Sequence, residues 1–553
     1  FERGSAELRM PAPPPSSEVS NVTRPSLAAL SLVLLAVGAT SATADEGEGP
    51  VADGLMCLES PPLQDRYTYL RSLSFHLRGQ PPTMDEYRAL DDQDDVSEAQ
   101  IDAYLASPEF AQRTIRLHHK LLWPRISNLQ IVSDENRMSE DSTGVWYRSE
   151  RAGFYRGSTQ LYDGVPCLDQ EAEFEADGTI VTYEDTSGFI REGWVLVQPY
   201  WAPEETLKVC AFDAQETQYS ANGTACASRE GWNEMECGCG PNLDYCYTND
   251  INGKLADAMT KDIDLRIARI VSEDLPHTEL FTGRTAFVNG PLVHFLRHLT
   301  GSWRDIRFDP VPYDVDHLPD LHFTDTETWL PVQLPTMHAG VLTSAVFLLR
   351  FQTNRARANR FYNAFLCRPF QPPVGGLPPA DDKSAAEPDL QQRAGCKFCH
   401  AILEPSAAHW GRWPERGAGY VDSEVYPAYR EDCFACALNN DCEGDCRRFY
   451  VTRSFTPKVN AYLGYLESFV FRREEHVVNI EEGPSLLAMQ GIVSHELPTC
   501  SARTALASAL AREILPEENE WLDELALSFG TNDFSYRHLM KEIVTSDTFR
   551  RVR

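Results

Sequence analysis

Positive charge is scarce in this sequence. Against 82 Asp and Glu stand 50 Lys and Arg, a formal net charge of −32. Contacts to nucleic-acid phosphates need clustered Lys and Arg, so that class of partner is excluded, and so is docking on anionic lipid. A protein partner steered by charge would present a basic patch. Long apolar runs are missing too. The run at 27–37 (LAALSLVLLAV) falls short of the ~20 residues that span a bilayer, and no later stretch reaches that length. The mature chain is therefore expected to have no transmembrane segment. Neither Gly-x-Ser-x-Gly nor His-Glu-x-x-His occurs, which removes the two commonest hydrolase signatures.

What is present points outward from the cytoplasm. Residues 1–9 precede Met10 and read as upstream sequence. Arg24, the apolar run, and Ala42-Thr43-Ala44 follow in the order of a Sec-type signal peptide, with cleavage expected near Ala44. A periplasmic, secreted or cell-surface location follows. Fifteen Cys in an exported chain favour disulfides over thiols.

Two of those cysteines have a different purpose. Gly395-Cys396-Lys397-Phe398-Cys399-His400 holds the C-x-x-C-H order of c-type haem attachment. Two thiols at this spacing reach the two vinyl groups on one porphyrin edge, and the next residue supplies an imidazole to the iron. With 15 Cys and 14 His in 553 residues, roughly 0.01 chance matches are expected. A thioredoxin-like pair wants a strand-to-helix context, whereas Pro-rich sequence from Pro369 to Pro388 precedes this motif. Cys433-Phe434-Ala435-Cys436 is followed by Ala437, so one covalent haem c is expected, not two. It is bound by Cys396, Cys399 and His400, with His400 as the proximal iron ligand. For the sixth position Met489, on an apolar helical stretch, is the first choice and His495 the alternative. His409 and His476 are further possibilities.

The chain is too long for one core, and two to four structural units are expected. Its fold class reads as mainly α: a multi-segment helical scaffold, a cytochrome c-like haem region and two disulfide-rich, partly β insertions. After the signal region (1–44) come an N-terminal helical region (45–158) and a Cys-rich insertion (159–254). A central helical domain (255–375) and a linker with the attachment motif (376–425) follow. A second Cys-rich loop (426–455) and a C-terminal helical region completing the haem domain (456–553) end the chain. In the first insertion Thr179 to Tyr183 and Trp194 to Val197 read as strands, and Cys167, Cys210, Cys226, Cys237, Cys239 and Cys246 as disulfide partners, with zinc the lesser reading for the last four. Cys237 and Cys239 must find separate partners. Thirteen cysteines outside the motif is an odd number, which leaves at least one free or intermolecular. The residues Asp314, Asp316, His317, Asp320 and His322 are of metal-binding type but lack regular ligand spacing.

Short motifs in a consistent order also resemble a known group. They are Leu70 to Pro82, Glu273-Asp274-Leu275-Pro276 with Phe287-Val288-Asn289 and Leu292 to Leu296, and His338 to Thr343. Further along come Phe365-Leu366-Cys367-Arg368-Pro369 with Pro372-Pro373, Gly411-Arg412-Trp413, Cys500 to Arg503, and Glu542 to Phe549. Together with Cys399-His400-Ala401-Ile402 they resemble the planctomycete-type exported cytochrome c domain families, large proteins of unassigned biochemical function also seen in myxobacteria. The resemblance touches most of 65–553 outside the Cys-rich insertions. It implies that Cys367 and Cys500 lie together and pair. The chain departs from the family at Leu403-Glu404-Pro405-Ser406, where an Asp-Pro followed by Gly-Phe is common, and in the added loop at 433–446.

The motif gives three functional expectations. The first is one-electron transfer to or from a redox protein, which needs only control of potential by ligand and burial. The second is a peroxidase- or oxidase-type haem enzyme, which needs an open iron position. The third is a surface- or polymer-binding scaffold whose haem senses redox state or stabilises the fold.

Overall fold

Each of the first four helices begins on a side chain suited to stop the preceding coil. The Asp65 carboxylate accepts from the Tyr67 and Thr68 amides at the start of the Arg66–Leu77 helix. Thr83 and Glu86 form a reciprocal capping box for Met84–Ala89, Ser97 caps Glu98–Leu105, and Ser107 followed by Pro108 opens Pro108–Leu122. Such caps satisfy amides that a helix start leaves unpaired, at about 1 kcal/mol each. The computed structural model describes residues 62–551, except 128, 133, 149–165, 187, 229, 301–311, 372–375, 377–378 and 380–385. The signal-like region, Cys57 and the Pro372-Pro373 pair lie outside the described residues.

The first and last parts of the chain share one core. Leu70, Leu73, Leu77, Leu105 and Phe110 pack with Ala502, Leu506, Leu522, Phe529, Leu539 and Ile543. Tyr69 Oη donates to the carbonyl of Val544 across that seam at 2.9 Å. A larger core surrounds the Ile251–Ser272 helix, whose Leu255, Ile263 and Ile267 meet Phe281, Val341, Phe347 and Phe361. Trp410 and Trp413, just beyond the C-x-x-C-H motif, are buried in that same core. Residues 61–553 form one compact unit, and the fold is mainly helical.

Among the described residues, strand structure is confined to small sheets. Met138–Glu140, Val145–Arg148, Leu207–Cys210 and Trp194–Val197 lie side by side in that order, the central pair parallel and the outer pairs antiparallel. Three disulfides hold the surrounding loops: Cys167–Cys210, Cys226–Cys237 and Cys239–Cys246. The separate partners expected for Cys237 and Cys239 are thus observed. The stretch from Thr179 to Tyr183 is not the strand expected. Ile180 makes one isolated bridge to Phe174, and regular pairing is limited to Tyr183–Glu184 against Ile190–Arg191. The Asp177-Gly178 turn, with Gly178 at φ 88°, pinches this segment, and no residue from Glu173 to Glu184 is buried. A second stapled loop joins Glu431–Asn439 to Gly444–Phe449 through Cys433–Cys446 and Cys436–Cys442. Cys367 pairs with Cys500 over a separation of 133 residues, tying the central helices to the C-terminal ones. Six disulfides suit an oxidising, extracytoplasmic compartment. No helix among the described residues is long and apolar enough to cross a membrane.

Candidate functional site

Gly395, at φ 75°, reverses the chain and lets the Lys397–Ala408 helix begin directly on Cys396. The amides of Cys399 and His400 both donate to the Cys396 carbonyl, at 3.2 and 3.0 Å, so the motif is the first turn of the helix. Three-residue spacing puts both thiols on one side of that turn. Among the described cysteines, Cys396 and Cys399 alone are free of disulfides, and both are half-buried. The far end of the helix is anchored, with Ala407 and Trp410 in the main core and Trp410 Nε1 donating to the Leu342 carbonyl at 3.0 Å. The near end is at the surface, where Phe398 is 61% and Ile402 41% exposed. These two lie four residues apart on one face, an apolar strip beside the thiols that a flat hydrophobic group would cover.

His400 has a built partner. Its Nδ1 lies 2.7 Å from Oε1 of Glu404, one helical turn on. The Glu404 side chain is buried and also accepts from Arg355 Nε at 2.5 Å and from Arg472 at 3.4 Å. Burial alone would push the Glu404 carboxyl up, but Arg355, His400 and Arg472 hold it below the ordinary value. An ionised acceptor at Nδ1 draws the ring proton there and leaves Nε2 as the ring nitrogen with a lone pair. Two free thiols, an oriented imidazole and an uncovered apolar strip therefore fit the donor set of haem c.

The proposed sixth ligands are spread over two helices. Met489 stands on Glu474–Val493, which packs against the motif helix, and is 47% exposed. His495 is exposed at the N-cap of Glu496–Leu510, in left-handed conformation with φ 62°. His409 is buried with Nδ1 on the Gly483 carbonyl at 2.8 Å, and burial lowers it to about 4. His476 is buried near the start of the Met489 helix. Elsewhere, Asp314 pairs with His317 at 2.7 Å on the surface, while Asp320 and His322 line a cavity beside Tyr200 and His294. Glu404 is the residue that sequence reading missed as a functional group. Its signal was present as the four-residue spacing from His400.

A mainly helical, disulfide-stapled protein with a surface C-x-x-C-H helix is thus defined. Residues 56–146 match the PSCyt2 family model, described as a protein of unknown function (DUF1549), in agreement with the cytochrome-associated resemblance. No curated protein and no solved structure matches the chain.

Proposed function

We propose that this chain is an exported monohaem c-type cytochrome that passes single electrons to or from a protein partner. The observation that carries the reading is the C-x-x-C-H turn itself, with both thiols outside the disulfide set and His400 oriented by a buried carboxylate. Cys396 and Cys399 would hold the porphyrin by thioethers, and His400 Nε2 would ligate the iron, with Met489 as sixth ligand and His495 as the alternative. When bound, the group supplies a one-electron ferric/ferrous couple. The work of this chain is to set that couple. Glu404 holds the His400 proton at Nδ1 and raises the basicity of the ligand, which favours the more positive iron state. Arg355 and Arg472 keep Glu404 ionised and fixed. The excess of acidic residues would favour a partner with a basic patch.

The test is production in cells competent for cytochrome maturation. Denatured protein should keep one haem by mass, show c-type α and β bands on reduction, and lose both on Cys396→Ser with Cys399→Ser. A mass equal to the polypeptide alone overturns the reading. In the oxidised protein, a Met-to-iron charge-transfer band lost on Met489→Ala would assign that ligand. The charge-assisted hydrogen bond between His400 and Glu404 also favours a second reading, a peroxidase- or oxidase-type iron with an open position. Fast binding of carbon monoxide by the reduced protein would select it.

Glu404 gives a graded prediction. Glu404→Gln swaps a charge-assisted hydrogen bond for a neutral one and leaves Arg472 without its carboxylate. The midpoint potential should rise by about 60 mV, a tenfold change for a one-electron couple, read by spectroelectrochemistry. An unchanged or lower potential would show that Glu404 does not act on the iron ligand.

A further inference from the structure

The Cys-rich insertion and the central helices meet at a cavity of about 520 Å³, lined among others by Tyr200, Asn242, Asp244, His294, Arg297 and His298. Asp244, His294 and His298 each present one ligand-type atom, and the three atoms lie within 4.8 Å of one another. The two histidines come from one element. The Gly290–His294 helix runs straight into a π-helical turn, Phe295–Leu299, and the imidazole centroids stand 4.8 Å apart. Single π turns recur at functional sites because the extra residue re-aims side chains.

Each side chain is held by its surroundings. Tyr200 stacks on His294 at 3.6 Å with an interplanar angle of 18°. His294 Nε2 lies 3.1 Å from the main-chain oxygen of Asp244, and donation there leaves the Nδ1 lone pair available. A carbonyl on the remote ring nitrogen is the usual way a metal-ligating His is oriented. Asp244 sits in the loop closed by Cys239–Cys246, directly after two left-handed non-glycine residues, Asn242 at φ 49° and Leu243 at φ 64°. Strain of this kind persists where a site demands a particular orientation. The Asp244 carboxylate nonetheless has no hydrogen bond or ion pair among the described residues, although it is half-buried. A half-buried carboxylate with no other partner, facing two imidazoles, is a donor set suited to a cation.

We propose that Asp244, His294 and His298 bind one divalent transition-metal ion of the zinc type, with its remaining positions open to the cavity. Two nitrogens and one carboxylate oxygen suit zinc and its neighbours rather than calcium or magnesium, which prefer oxygen throughout. Three protein ligands with an open position is the pattern of a reactive rather than a purely structural zinc. Among the described residues, the two other clusters of metal-type side chains, around Cys167 and Cys433, have their sulfurs in disulfides and offer no thiolate. The site stands apart from the haem reading, because zinc and iron are counted separately.

The experiment uses the full secreted chain, stripped with chelator, dialysed against zinc and freed of excess. Elemental analysis should find one zinc per chain, and a chromophoric zinc indicator should give its affinity. Asp244→Asn and His298→Ala should each weaken binding roughly tenfold or more, while His317→Ala, on the exposed loop, leaves it unchanged. Unaltered circular dichroism and no new free thiols establish that the variants are folded. Zinc at buffer level in the wild type overturns the proposal. So does equal zinc in the Asp244→Asn/His298→Ala double variant, or zinc lost only on replacing Cys396 and Cys399 by serine.

Discussion

Arg357→Met is expected to destabilise the protein by about 5 kcal/mol, enough to remove most of the stability of a typical domain. Arg357 is wholly buried on the Asn354–Phe365 helix and touches no carboxylate. Its guanidinium is solvated by the chain instead. Nε donates to the Phe351 carbonyl at 2.9 Å, and Nη1 to Asn354 Oδ1 at 2.8 Å and the Trp413 carbonyl at 2.7 Å. Nη2 reaches the carbonyls of Leu348, Pro414 and Gly417 at 3.1 to 3.2 Å. Burial lowers its pKa to about 9, opposed in part by Glu415, so it stays charged at neutral pH. Methionine fills much of the volume but leaves five main-chain carbonyls without a donor, each costing about 1–3 kcal/mol unless water enters. Those carbonyls belong to the end of the Ala345–Arg350 helix and to the turn after the buried Trp410 and Trp413. The motif helix should therefore loosen at its anchored end. Chemical denaturation followed by circular dichroism reads the loss, and Arg357→Lys should recover only a part because three donors replace five. A cost below about 1 kcal/mol would mean that the carbonyls rehydrate freely.

None of this hub was legible in the sequence, where Arg357 is one of several arginines in an alternating polar run. Legibility followed chemical range. Contacts within a turn or two announce themselves: the C-x-x-C-H turn stands where the spacing put it. Cysteine arithmetic reached further, because an odd count of thirteen leaves one over once six pairs form, and that one is Cys57, outside the described residues. The Cys367–Cys500 pair was implied by resemblance alone, since 133 residues separate the two. The zinc-type cluster shows the limit most clearly. His294 and His298 carry a visible four-residue spacing, but their carboxylate arrives from an insertion fifty positions earlier, which the chain pattern cannot place. Composition drew attention to the run from Asp314 to His322 instead, where His317 merely pairs with Asp314 on the surface.

Buried histidines set the second large effect, a steep loss of stability in mild acid. His118 and His277 meet through their Nε2 atoms at 3.0 Å, in a box that includes Tyr536, Phe281 and Phe529. His118 Nδ1 faces the Thr114 carbonyl at 2.9 Å, so His118 donates there and accepts from His277. Burial lowers His118 to about 4 and His277 to about 3, and it lowers His338 and His409 to about 4 each. A folded-state value below the unfolded 6.5 means that the unfolded chain takes up protons first. Stability is then complete above pH 6.5 and drains away as pH falls toward 4. The His118–His277 pair counts once, because its first proton opposes a second. Three sites at about 1.4 kcal/mol per pH unit give about 6 kcal/mol lost between pH 7 and 5. In the Asp244 cluster, Asp244, raised to about 6 by burial, returns about 1 kcal/mol, but His298, lowered to about 4, takes away more than that, so the loss is not relieved there. The melting temperature should accordingly be level from pH 8 to 7 and fall steeply below 6.5. His409→Gln, whose amide can still donate to the Gly483 carbonyl, should remove about 2 kcal/mol of the loss between pH 7 and 5 without much change at pH 8. A melting temperature that stays level down to pH 5 would mean that these imidazoles are charged, or hydrated, inside the fold.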